Sequence, residues 1–303
     1  MCEVCAVLCR TSLQNGEISR SISAGTVVIE VADSMKYAEV DRSVFPLMVL
    51  NFLFSDNKEA CVEVMNKIRA YNTKKYSTLG KTWYHAINME IMLNWSVSNE
   101  SFDDSLDFAT YIMSKPDALY NEMLPRYMLS MAIAIWFCRH DQWAKAQIWF
   151  DYWEMFELEE INFLSVYILS RKIEIMLVSL SISKVTKPKS LWKELQDACV
   201  KDLKRLSFAV EKVVTLKPRY LHLESYLMII QHKYCFARYY LLKAINIAKK
   251  QNNNLELNWI RHHKLRWLRR TSVAKREHLH PDWFELFSTA NQDDLYTWPL
   301  VAR

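Results

Sequence analysis

Several groups of side chains in this chain have the types and spacing that chemistry uses. Gly80-Lys81-Thr82 matches the end of a phosphate-binding loop. The complete motif needs another Gly five residues before Gly80, and that position is Lys75. Without the glycine loop, backbone N–H groups cannot cradle a phosphate. Residues 66–76 also read as helix where the motif requires a strand, so Ser77 or Thr78 reads as a cap of the next helix. Cys2, Cys5 and Cys9 contain a Cys-x2-Cys pair, half of a zinc site, with no second pair or histidine at finger spacing. At i, i+3 and i+7 the three thiols share one helix face, where Cys packs as a small hydrophobe.

Two histidine groups invite metal or acid–base readings: His262-His263, and His278-x-His280 with Glu277 and Asp282 nearby. His263 is four residues from both Trp259 and Trp267, a spacing that places all three on one helix face. We read it as a packed histidine. Trp136, Trp143, Trp149 and Trp153 could line a ligand box, but in helical hairpins such rings interlock adjacent units, the reading we adopt.

The remaining signal is electrostatic. Residues 258–276 hold Arg261, Lys264, Arg266, Arg269, Arg270, Lys275 and Arg276 and no acid. The chain's formal net charge is +5, so everything outside this tract sums to a small negative charge. Arg266, Arg269 and Arg270 share a helix face opposite Trp259 and Trp267. Arg261, Lys264, Arg266, Arg269 and Arg270 are therefore candidates for docking an acidic protein partner. A solvated face is the plainer reading, and nucleic acid or anionic lipid are further ones. No residue is assigned to catalysis, a cofactor or a metal.

The elements that must position these groups are helices. Only 3 of 303 residues are Gly, too few for the tight hairpins and loops of sheet folds, while 11 Trp suit large packed helix faces. No apolar run spans a membrane: 161–182 is long enough, but Arg171, Lys172 and Glu174 interrupt it. The first residues, MCEVCAVLCR, lack the basic start and apolar core of a secretory signal. Seven scattered Cys, an odd number, argue against a disulfide framework and fit a reducing cytoplasm.

Apolar spacings of three and four, broken by short polar turns, predict successive antiparallel hairpins. They pair 44–54 with 58–71, 82–95 with 102–113, 117–138 with a helix from Trp143 that Asp141 caps, 162–180 with 191–216, and 219–232 with 234–250. Two of the hairpins carry the same Pro-Arg-Tyr, at Pro125 and Pro218; Pro125 should start its helix afresh or kink it, and Pro218 suits the first turn of its helix. Aligning on those prolines equates Ala144 with Ala237 as small residues facing the partner helix. It also equates Trp143 with Phe236 as groove fillers, and Lys145 with Arg238 as solvent-facing positions. The expectation is an all-α protein, an α-solenoid of tetratricopeptide-like hairpins with irregular repeats. Residues 1–180 and 191–303 would be its two runs of hairpins, with 181–190 a flexible loop or joint.

The stretch 218–267 reads PRYLHLESYLMIIQHKYCFARYYLLKAINIAKKQNNNLELNW and then IRHHKLRW. Its Arg-Tyr entry, aromatic helix, LLKAINIAKKQNN helix, LELNW and terminal Trp resemble the C-terminal helical-repeat region of soluble (type 10) adenylyl cyclase. The resemblance implies a tetratricopeptide-like tail in cAMP signalling, and it carries over no functional residue. A class III cyclase core is a mixed sheet with metal-binding carboxylates, which this chain lacks. The resemblance thus implies a tail without its catalytic core: a fragment, a divergent paralogue or a partial gene model. The function expected is a non-catalytic scaffold or regulatory protein-interaction region. The alternative is a nucleic-acid-binding helical repeat that uses 258–276.

Overall fold

A computed structural model describes residues 2–35, 38–75, 78–95, 100–115, 123–151, 160–186 and 188–268. Among the described residues there are thirteen α-helices and no strand. In order they are α1 Cys2–Gln14, α2 Ile18–Met35, α3 Ala38–Ser55, α4 Lys58–Lys75, α5 Thr78–Trp95, α6 Phe102–Met113 and α7 Leu124–Arg139. They continue with α8 Trp143–Asp151, α9 Phe163–Thr186, α10 Lys189–Ala209, α11 Lys217–Ile230, α12 Tyr234–Gln251 and α13 Asn254–Leu268. A 3₁₀ turn, Val214–Leu216, leads into α11.

The helices divide into two kinds. In α5, α7, α9 and α11 no described residue is exposed, so these helices are enclosed on every side. In α4, α6, α8, α10 and α12 one face is exposed, and each packs against the inner helix before or after it. The inner helices touch in a closed circuit: α3 meets α5, α5 meets α7, α7 meets α9, α9 meets α11, α11 meets α13, and α13 returns to α3. Two side chains seal that return. Asn254 Nδ2 donates to the Ser55 carbonyl at 3.1 Å, and Asn258 Nδ2 lies 3.5 Å from Asp56 Oδ2. A second long-range tie has Thr215 Oγ1 donating to the Leu13 carbonyl.

Five helix ends use one turn. Gly16, Asp56, Asp141, His232 and Asn252 each have positive φ, between 55° and 82°. In each, the following residue's N–H reaches back to the carbonyl five residues earlier: Glu17 to Ser12, Asn57 to Phe52, Gln142 to Phe137, Lys233 to Met228 and Asn253 to Ala248. This is the Schellman closure, which satisfies orphan carbonyls and reverses the chain within two or three residues. Asp141 is thus the left-handed residue of a turn and not the expected N-cap; Gln142 directly precedes α8.

The stretch expected as a flexible joint is largely helix. α9 continues through Thr186 with Ser181 and Ser183 buried, and α10 begins at Lys189 after Pro188. The two Pro-Arg-Tyr helices are equivalent at their starts, where Pro125 and Pro218 occupy the first turn and Arg126 and Arg219 are both buried. They are not equivalent at their ends. α7 has 16 residues and α11 has 14, so the proline alignment slips by two in the second helix. Ala146, and not Ala144, is the buried counterpart of Ala237; Ala144 is exposed. Trp143 is half-buried, and Phe236 points outward at 60% exposure, so it fills no groove. Lys145 and Arg238 are both exposed, as the spacing implies.

Candidate functional site

The positions read from sequence as chemical are mostly packing positions. Gly80, Lys81 and Thr82 lie inside α5, where the backbone N–H groups point along a helix and form no loop. Cys9 is buried, its thiol 3.4 Å from Ser21 Oγ, while Cys2 and Cys5 are half-buried beside it on α1. Burial raises the Cys9 thiol above its usual range. Trp136 stacks on Phe102 at 4.7 Å and so ties α7 to α6; Trp149 is buried. Trp153, His278 and His280 lie outside the described residues. Among the described residues, no three His, Cys, Asp or Glu side chains converge to hold a metal ion.

Of the docking candidates, Arg261 is exposed on α13 and Lys264 is half-buried. Arg266 lies in the last turn of α13, and Arg269 and Arg270 fall outside the described residues. Trp259 and Trp267 are buried on the other side of the helix.

The densest chemistry is a cluster at the centre of the helix circuit that the sequence reading did not assemble. Arg171 of α9 pairs with Glu90 of α5 at 2.5 Å and with Glu174 at 2.8 Å. Tyr167 donates to the same Glu90 oxygen at 2.7 Å. Arg139 of α7 lies 3.4 Å from Glu174 and donates to the Leu93 carbonyl at 2.6 Å. Arg219 of α11 is 3.4 Å from Glu174 and bonds through Nε to Glu256 of α13. The Arg219 and Arg139 guanidiniums also sit over the Trp259 ring, at 4.7 and 5.3 Å. Three carboxylates and three guanidiniums thus compensate one another with less than a tenth of any side chain exposed.

Electrostatics favour the charged forms of Glu174, Glu256 and Arg171, while burial lowers Arg139 from its usual value despite Glu174 beside it. Burial alone would raise the Glu174 carboxyl, but Arg171, Arg219 and Arg139 bring it down to about 2. Glu256 follows the same logic: burial pushes it up, and Arg219 and His222 together pull it below its usual range. Burial likewise works against the Arg171 cation, but Glu90, Tyr167 and Glu174 overcome it.

A histidine pair extends the cluster. His222 Nδ1 stands 3.6 Å from Glu256 Oε2, and His222 Nε2 is 2.6 Å from His263 Nδ1. One ring must donate and the other accept, so the contact needs at least one unprotonated nitrogen. Burial depresses His222 below 6.5 despite the Glu256 carboxylate. His263 stacks on Trp267 at 4.3 Å and lies edge-to-face with Trp259 at 6.0 Å, the packing that the Trp259-His263-Trp267 spacing implies.

This arrangement joins α5, α7, α9, α11 and α13 and keeps its charges from solvent. The Cys138 thiol is pushed up to about 12, by burial first and then by Glu174, so it stays protonated. The sequence did carry a signal for the cluster. Arg171 and Glu174 interrupt an apolar run, Glu90 stands within INMEIMLNW, Arg219 is the Arg of the second Pro-Arg-Tyr, and Glu256 is the acid of LELNW. A lone charge inside an apolar helix needs a partner on another helix.

No protein-family model, no curated protein and no solved structure matches this chain.

Proposed function

We propose that the chain is a non-catalytic helical-repeat scaffold that binds and regulates protein partners. In this reading it acts like the tail of soluble adenylyl cyclase that residues 218–267 resemble, in cytoplasmic cAMP signalling. Its hairpins are units of a tetratricopeptide-like solenoid with irregular repeats, wound tightly enough for α13 to reach α3. One observation carries the reading. The cluster's charged groups are neutralised among themselves in the core, while α12 turns Phe236, Tyr239 and Leu242 outward beside exposed cations. Exposed aromatics with Arg neighbours are the composition of recognition surfaces. Arg261, Lys264 and Arg266 add positive charge from α13, and the sequence continues with Arg269 and Arg270.

The test has two arms. The isolated chain with ATP and magnesium or manganese should form no cyclic AMP; turnover that survives repurification would overturn the non-catalytic reading. Binding to the purified catalytic domains of soluble adenylyl cyclase, measured by calorimetry, should weaken by roughly tenfold or more in a Phe236→Ala/Tyr239→Ala variant, as loss of an interface anchor does. Absence of binding, together with RNA binding that falls steeply with salt, would move the assignment to a nucleic-acid-binding repeat using residues 258–276.

A further inference from the structure

One line of α11 is only half-buried: Lys217, Tyr220, Glu224 and Met228, spaced three and four apart. Outer helices α10 and α12 both pack on α11. Ser207 of α10 is hydrogen-bonded to the Tyr220 hydroxyl, and the Glu224 charge reaches Cys199, two turns earlier on α10. On the other side, Tyr240 of α12 stands level with Glu224. Each is eight residues from His232, the left-handed residue of the turn between the antiparallel helices. Tyr220 lies one turn from Glu224, where i and i+4 side chains meet. No ring contact joins Tyr220 to Tyr240 among the described residues, so the rings flank the carboxylate without closing over it.

Glu224 differs from the other enclosed carboxylates. Glu90, Glu174 and Glu256 have arginine partners, and Asp202 has Lys172 and Arg205. Among the described residues no cation pairs with Glu224, and Lys217 on the same line is taken by Glu211 at 2.8 Å. Burial raises the Glu224 carboxyl with nothing to bring it down. Its charge then adds to burial in raising the hydroxyls of Tyr220 and Tyr240. A carboxylate set between two tyrosine rings lacks one thing, a cation, and the ring faces attract the same charge.

We propose that Tyr220, Glu224 and Tyr240 form a site for an alkylammonium group, presented as a lysine side chain by a partner protein. The carboxylate supplies the counter-charge, and the two rings supply cation–π attraction. The three residues stay half-exposed, whereas pockets for free small molecules enclose most of their ligand. The ammonium therefore arrives tethered to a larger surface. That surface also meets Tyr239, which packs edge-on against Tyr240 at 5.6 Å and belongs to the outward stripe of α12. The source of the ammonium rests on the scaffold reading above; the site does not.

Fluorine NMR of the full chain labelled with fluorotyrosine tests the site, with Tyr220→Phe and Tyr240→Phe assigning the two signals. The probe is an end-blocked Ala-Ala-Lys-Ala-Ala peptide, with lysine free, trimethylated or acetylated. The free and trimethylated forms should shift both signals, and the neutral acetylated form should shift neither. Glu224→Gln should weaken the response about tenfold, as loss of a charged partner does. Its urea midpoint should match or exceed that of the unaltered chain, because the variant removes an uncompensated charge. Equal responses to all three peptides, or to none, would overturn the site. So would a lowered midpoint in Glu224→Gln, which would make the carboxylate a structural group. Butylammonium binding as tightly as the lysine peptide would overturn the partner as source. A peptide response without binding of any protein partner would count against the scaffold reading alone.

Discussion

At the residue scale the decisive atoms are the Glu174 carboxylate oxygens, which lie within 3.4 Å of Arg139, Arg171 and Arg219. Removing one member of a buried ionic set leaves its partners charged in a low-dielectric core. Glu174→Ala should therefore cost ~3–5 kcal/mol in urea denaturation, whereas breaking the exposed Arg20–Glu17 pair should cost ~1 kcal/mol or less. A loss at Glu174 comparable to that of the exposed pair would mean that the cluster is not coupled. The histidine pair adds a pH dependence. His222 is depressed in the folded state, so it binds its proton more weakly there than in the unfolded chain. Its contribution to stability is complete above 6.5 and declines as pH falls below it. Glu256 and His263 from α13, Glu174 from α9 and Arg219 on its own helix face or act on this ring. The urea midpoint should fall from pH 7.5 to pH 5, and His222→Gln should flatten that slope; an identical slope in the variant would remove His222 from the account.

At the scale of elements, the sequence was most informative where amphipathic period and turn residues agreed. The hairpins formed by α3 with α4, α5 with α6 and α11 with α12 were all legible from periodicity. Registers were less so. Pro-Arg-Tyr marks two helix starts correctly, yet the two-residue difference in helix length is invisible to an alignment anchored at one end. The corrected register makes a distinguishing prediction. Ala146→Leu and Ala237→Leu should each cost ~1–3 kcal/mol by overpacking, while Ala144→Leu should stay within about ±0.5 kcal/mol. Thermal unfolding of the three variants decides between the registers. The central cluster was legible only as lone charges in apolar helices: its members lie on five helices, and only the closed circuit brings them together. The turns allow one more comparison. His232 adopts φ 60°, a conformation that costs a non-glycine residue ~1–2 kcal/mol, and its ring meets the Tyr234 hydroxyl at 3.2 Å in an exposed contact; relief of the strain should outweigh that contact, so His232→Gly should raise the melting temperature. Asp56→Gly relieves the same strain at φ 59° but loses the hydrogen bond from Trp95 Nε1 at 3.0 Å and should gain little or nothing.

The whole molecule is defined by the return of α13 to α3, a contact between residues about two hundred positions apart. An open stack of repeats has only neighbour contacts and can lose its ends one unit at a time. The circuit instead couples the first and last inner helices. The return also has a temporal consequence. A ribosome that releases about 5–20 residues per second needs on the order of 10–40 s to pass from Ser55 to Asn254. During that interval α3 and α5 exist without the helix that completes their circuit, and Glu174 awaits Arg219 and the Glu256 beyond it. The emerging polypeptide must carry apolar helices and unmatched charges until its C-terminal hairpin is made. Nascent chains arrested before α11 should therefore be held by chaperones or cleaved by added protease, and resistance should come only once α13 has cleared the exit tunnel.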